Sequence, residues 1–133
     1  MTEEHPSPDD ERLLRGLGLA GQLFAGLEGS PPMPDELARH TFGHLFGDVW
    51  QGPELELQER SLITCTVLVA LAREQEQLLH FRAARNLGIS REKLEAMIAH
   101  VAHYAGWPVA VSAARVLDKV WAEMDAADAE SAG

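Results

Sequence analysis

Arg73, Glu76 and His80 are the residues of this 133-residue chain whose types and spacing best suit chemistry. They fall at i, i+3 and i+7, so on a helix they make one stripe on one face. Imidazole is the side chain that titrates nearest neutrality, and a carboxylate one turn away can orient the ring and raise its basicity. The arginine fork holds a carboxylate through two parallel hydrogen bonds. The trio therefore suits proton transfer beside an anchored acid. The same spacing also describes a surface Glu–His pair next to a solvated arginine. A second group, His100, His103, Tyr104 and Trp107, runs along another stripe that ends at the Gly106-Trp107-Pro108 break. Such breaks often line pockets, and Tyr and Trp combine an apolar body with a polar tip. The alternative there is one histidine in the core and the other in solvent. Glu76 and His80 with His100 and His103 match no established metal motif, and no metal is expected.

The formal charge of −10 argues against a nucleic-acid groove or an anionic membrane as the main partner, since both call for a basic footprint. The bases are nevertheless clustered: Arg60, Arg73, Arg82, Arg85, Arg91 and Lys93 lie in one quarter of the chain. That surplus could hold a small anionic substrate, although Arg91 and Lys93 read more simply as solvated helix surface. Ala83 to Glu95 has the look of a DNA-binding helix-turn-helix, but its second helix mixes acids among its bases. Cys65 is the one cysteine, which rules out an intrachain disulfide or a Cys-x-x-Cys redox pair. No signal peptide opens the chain, and the apolar run Leu62–Leu71 is too short to span a bilayer. A cytoplasmic protein is expected.

These residues need helices to place them. Leu57 to about Leu71 begins with Glu59 and Arg60 and is then apolar on nearly every side, so it predicts a helix buried all round, with a partner subunit helping to cover it. The next helix carries Arg73, Glu76 and His80 and stops at Gly88. Ser90 caps a helix striped by Leu94, Met97, Ile98 and Val101. Pro108 opens the last one, which fades after Met124. Upstream, Asp9–Leu27 has helical spacing weakened by Gly16, Gly18 and Gly21. Gly29-Ser30-Pro31-Pro32 breaks the chain, and Pro34 to Gly47 or Val49 forms a helix with Phe42, Leu45, Phe46 and Val49 on its apolar face. The expectation is an all-α protein of about six helices: one domain over 9–125, with disordered tails at 1–8 and 126–133.

From Phe46-Gly47-Asp48-Val49-Trp50 the chain resembles the carboxymuconolactone decarboxylase family, the cysteine-poor relatives of alkylhydroperoxidase D. The likeness continues through Leu57-Gln58-Glu59-Arg60-Ser61-Leu62-Ile63-Thr64, Ala72-Arg73-Glu74, His80-Phe81-Arg82-Ala83-Ala84, Asn86-Leu87-Gly88 and His100 to Pro108. It covers about Pro34 to Glu123. The resemblance implies the alkylhydroperoxidase D-like helical fold, assembled as a homohexamer that is a trimer of dimers. In the peroxidase relatives a Cys-x-x-Cys pair stands where this chain has Arg73 and Glu76, so disulfide peroxidase chemistry should be absent.

The family's decarboxylase converts γ-carboxymuconolactone to β-ketoadipate enol-lactone, in aromatic catabolism, without metal or organic cofactor. By that resemblance Arg60 and Arg73 hold carboxylates and Trp107 contributes to substrate binding. Glu76 orients His80, His80 protonates the carbanion, and Tyr104 or His100 donates to the lactone oxygen. Other members bear peroxidase-type names, and a non-catalytic oligomeric binding protein with a structural histidine cluster is the remaining alternative. The glycine-rich N-terminal helix and His103 depart from the family pattern.

Overall fold

The computed structural model describes residues 5–29 and 31–133, which form six α-helices and no strand. Helices α1 (Pro8–Leu23) and α2 (Asp35–Arg39) lie in a compact unit that runs to Glu56. Helices α3 (Leu57–Ala70), α4 (Glu74–Asn86), α5 (Arg91–Ala105) and α6 (Trp107–Ala132) make a second unit. Met1–Glu4 of the expected tail and Ser30 of the expected break lie outside the described residues.

In the first unit Ser7 starts α1 through a reciprocal cap. The Asp10 N–H donates to Ser7 Oγ and the Ser7 N–H donates to the Asp10 carboxylate, each at 3.2 Å. The helix ends at Leu23, short of the expected Leu27, and the chain turns at Gly26 with φ 87°. Gly16, which weakens the helix locally, is required by packing. A Cβ there would lie 1.6 Å from the Phe42 carbonyl oxygen, so the two backbones touch at that point.

The helix expected from Pro34 to Gly47 or Val49 is broken up. After α2 the chain widens into a π-helical turn, His40–Leu45, closed by the Phe46 N–H on the Thr41 carbonyl at 3.0 Å, and a 3₁₀ turn comes next at Val49–Gln51. The extra residue in the wide turn rotates the residues beyond it about the helix axis. Phe46 is therefore buried, whereas Leu45 and Val49, expected on the same apolar face, are exposed.

The second unit is built around Cys65, Val69, Phe81, Leu94, Leu117 and Val120, all essentially sealed from solvent. Helix α4 closes with Gly88 at φ 87°, the Ile89 N–H on the Ala84 carbonyl at 3.0 Å and the Gly88 N–H on the Arg85 carbonyl at 2.9 Å. Ser90 Oγ then caps α5 by accepting from the Lys93 N–H at 3.1 Å.

The expected tail over 126–133 is instead helix to Ala132. Two causes act together. Ala126, Ala127, Ala129 and Ala132 are strong helix formers. Arg85, from α4, reaches Asp125 at 2.8 Å and Asp128 at 2.9 Å, and its guanidinium sits 5.0 Å from the Trp121 ring centre. Those long-range partners pin the last turns to the bundle.

Gly16→Ala forces the α1 backbone away from Phe42. We expect a loss of about 1–3 kcal/mol or more in chemical denaturation, while Gly18→Ala and Gly21→Ala, which meet open space, leave stability equal or higher.

Candidate functional site

The Arg73 stripe begins at the corner between α3 and α4. The Arg73 N–H donates to the Leu68 carbonyl at 2.9 Å and the Ala72 N–H to the Val69 carbonyl at 3.0 Å, the bond pattern of a left-handed helix ending. Ala72 supplies the left-handed residue, with φ 58°, in a place where glycine is the ordinary choice. A side chain there costs about 1–2 kcal/mol. Arg73 is then the first residue before α4, so one residue both closes α3 and opens the next helix.

Two contacts fix how the helices face each other. The Gln77 Nε2–H donates to the Leu68 carbonyl at 3.1 Å, and the Cys65 S–H donates to the His80 carbonyl at 3.4 Å. Position 68 therefore opposes 77, and 65 opposes 80. Arg60 and Arg73 stand at opposite ends of α3, about 20 Å apart along its axis, and His80 lies at a height between them.

Arg73 donates to Glu76 Oε1 at 2.9 Å, and this bond holds the Glu76 carboxyl below the usual carboxylate range. Glu76 acts on His80 through charge. The imidazole is half-buried, and burial lowers its pKa below the ordinary 6.5 while the Glu76 charge pulls it back up. In the free protein, burial thus favours the neutral imidazole, one turn from a paired Arg–Glu.

Arg60 is half-buried in the first turn of α3, where its carbonyl accepts from the Thr64 hydroxyl at 2.9 Å. The Cys65 thiol is sealed in, and burial pushes its pKa up to about 12, so it stays protonated and inert.

The second group lies on α5 and at the start of α6. His100 packs on Tyr104 with ring centres 5.1 Å apart, and His103 meets the Trp107 ring edge-on at 5.0 Å. His103 Nδ1–H donates to the Ala99 carbonyl at 2.8 Å. Both histidines are exposed, so neither takes the place of a core histidine. An open groove of about 640 Å³ runs along this face, lined by Ala96, Ala99, His100, His103 and Tyr104. Arg73, Glu76 and His80 are not among its lining residues. The candidate residues thus form two groups, one at the α3–α4 corner and one along α5.

Two members of the basic surplus are committed elsewhere. Arg85 serves Asp125 and Asp128, and Arg91 is bound by Glu95 at 2.8 Å and by Asp118. Among the described residues no three His, Cys, Asp or Glu side chains are grouped to hold a metal ion, and no helix is long and apolar enough to cross a membrane.

Gln77 is the residue that sequence reasoning missed. It sits four residues before Phe81 and seven before Ala84, on the buried face of α4, where an apolar side chain is the ordinary occupant. A polar residue in that register was the available signal.

Residues 35–119 match the model of the carboxymuconolactone decarboxylase family. The chain belongs to that family. It is 38% identical over 122 residues to 4-carboxymuconolactone decarboxylase of Acinetobacter baylyi, a match covering 87% of this chain and 91% of that protein. It is 33% identical over 79 residues to nitrosuccinic acid decarboxylase of Metarhizium robertsii, covering 59% of this chain and 55% of that one. The family match takes in both groups of candidate residues, from Arg60 through Trp107, and leaves out α1.

Proposed function

We propose that this protein is a cofactor-independent decarboxylase of 4-carboxymuconolactone or a closely related small carboxylated lactone. The observation that carries the reading is the half-buried His80 one turn from the bonded Arg73–Glu76 pair. It is supported by membership of a family in which both relatives, the bacterial and the fungal protein, are named for removing a carboxyl group from a small acid.

The chemistry stems from the residues. Arg73 anchors a substrate carboxylate by exchanging part of its bond to Glu76. The bound negative charge favours imidazolium at His80. The C–C bond to the carboxyl group breaks and CO2 leaves. Its electron pair spreads into the unsaturated lactone as a furanolate-like anion. His80 then gives its proton to carbon and returns to neutral imidazole. His100, Tyr104 and Trp107 lie in the separate group along α5, so within one chain the proton transfer rests on the Arg73, Glu76 and His80 corner.

A homo-oligomer belongs to the same proposal, with six copies as a trimer of dimers and the alkylhydroperoxidase D-like fold. Ile63 and Val67 on α3 and Leu71 just past its end, spaced by four residues, are 50%, 49% and 64% exposed, so the chain by itself covers only the Ser61, Cys65 and Val69 face of this helix. A second copy on that stripe provides the all-round burial that the composition of α3 calls for. Light scattering should give a mass of several 14.6 kDa chains, with Val67→Glu moving it toward one. A wild-type monomer would contradict the oligomer.

Turnover of 4-carboxymuconolactone, followed by ultraviolet absorbance, tests the catalytic assignment. His80→Asn should lower kcat by about 100-fold or more with the assembly intact. Because imidazolium is the productive form and its pKa is lowered in the free protein, kcat/KM should fall as pH rises through a value below 6.5. The kcat profile should hold to higher pH, since bound carboxylate stabilises the cation. Full activity in His80→Asn would remove His80 from the mechanism.

A further inference from the structure

The corner that carries Arg73 breaks two local rules side by side. Ala72 takes a left-handed φ of 58° without being glycine. Gln77, five residues on, is 1% exposed, and its Oε1 has no hydrogen-bond partner. Buried amide oxygens are nearly always paired, and an apolar residue of similar shape would avoid the penalty altogether. Strained backbone and under-satisfied polar groups gather where a structure is held for function more than for stability.

The other half of the Gln77 amide indicates what is being held. Its Nε2–H donates to the Leu68 carbonyl at 3.1 Å, the same oxygen that accepts the Arg73 N–H at 2.9 Å. The Gln77 N–H in turn donates to the Arg73 carbonyl at 3.0 Å. One carbonyl of α3 is therefore gripped by Arg73, the residue before α4, and by Gln77 within it. The Gln77 side chain thus acts on the corner through the shared Leu68 oxygen, while its main-chain bond to the Arg73 carbonyl is the ordinary first-turn bond of α4. With that peptide segment fixed, the Cα–Cβ bond from which the guanidinium extends to Glu76 is fixed as well.

We infer that Gln77 is a positioning residue for substrate, acting through Arg73 by locking the corner from which the carboxylate-binding fork projects. This rests on the decarboxylase reading. Loss of the Gln77 amide lets the corner relax, and the fork then meets the substrate carboxylate less often in the right orientation. Binding weakens more than the chemical step does.

The test is a kinetic and thermal comparison of wild type, Gln77→Met, Gln77→Leu, Arg73→Met and the Gln77→Met/Arg73→Met double variant, with 4-carboxymuconolactone as substrate. The two apolar Gln77 variants should melt no lower than wild type, because they remove a buried amide whose oxygen is unsatisfied. Each should nonetheless raise KM about five- to tenfold with kcat changed less than twofold. In the double variant KM should equal that of Arg73→Met alone, since the positioning effect has nothing left to act through. Two apolar variants of different shape keep the test open should either one pack poorly. Wild-type turnover with KM within twofold in the Gln77 variants, or fully additive effects in the double variant, overturns the positioning role alone. No turnover by wild type overturns the decarboxylase reading and this inference with it.

Discussion

One carbonyl oxygen, that of Leu68, sets the geometry on which the candidate chemistry depends. It accepts the Arg73 N–H and the Gln77 side-chain amide together, and so closes α3, opens α4 and sets the antiparallel register between them. A connection of three residues, Leu71, Ala72 and Arg73, leaves no slack, and the left-handed Ala72 is the backbone consequence. That register dictates the other placements: Cys65 under the His80 carbonyl, Arg73 beside Glu76, and the imidazole one turn further along. The hydrophobic core beneath, from Val69 and Phe81 to Leu117, keeps the two helices from rotating to relieve the strain.

Electrostatics in the second unit divide into structural and available charge. Arg85 and Arg91 are held by carboxylates of α6, where they stitch the last helix to the bundle and leave little free charge behind. Arg73 differs because its partner is a neighbour on the same helix, in an exposed pair whose net stabilisation is small. Such a pair can be exchanged for a substrate carboxylate at little cost. His80 is governed by two opposed influences, burial that disfavours its charge and a nearby carboxylate that favours it. A bound anion tips that balance, which is how an imidazole that is neutral at rest becomes an acid when substrate arrives.

Much of this was legible in the sequence. The limits of α3, the Gly88 ending, the Ser90 cap and the Gly106-Trp107-Pro108 break all rest on local signals, and they stand where those signals put them. Features set by distant partners were not legible. Nothing near residue 126 says that Arg85 will hold Asp125 and Asp128, so a helix read as a tail. Gly16 read as a weak point because the Phe42 carbonyl it admits lies far along the chain. The widened turn at His40–Leu45 has no periodic signature, and it separated Phe46 from Leu45 and Val49. At the candidate site the Arg–Glu spacing was readable from i, i+3 geometry alone. What was not foreseen is that Glu76, which acts on His80 through charge, is also bonded to Arg73. The two exposed His–aromatic pairs likewise depended on how α5 sits in its unit.

The most direct measurement is the fate of 4-carboxymuconolactone incubated with the wild-type protein in deuterated buffer and followed by nuclear magnetic resonance. If an imidazolium at residue 80 quenches the anion left by departing CO2, one carboxyl carbon leaves per molecule and one solvent deuteron appears on carbon in equal amount. Recovery of the intact lactone, or loss of CO2 at an undiminished rate when His80 is replaced by Asn, would contradict the central claim.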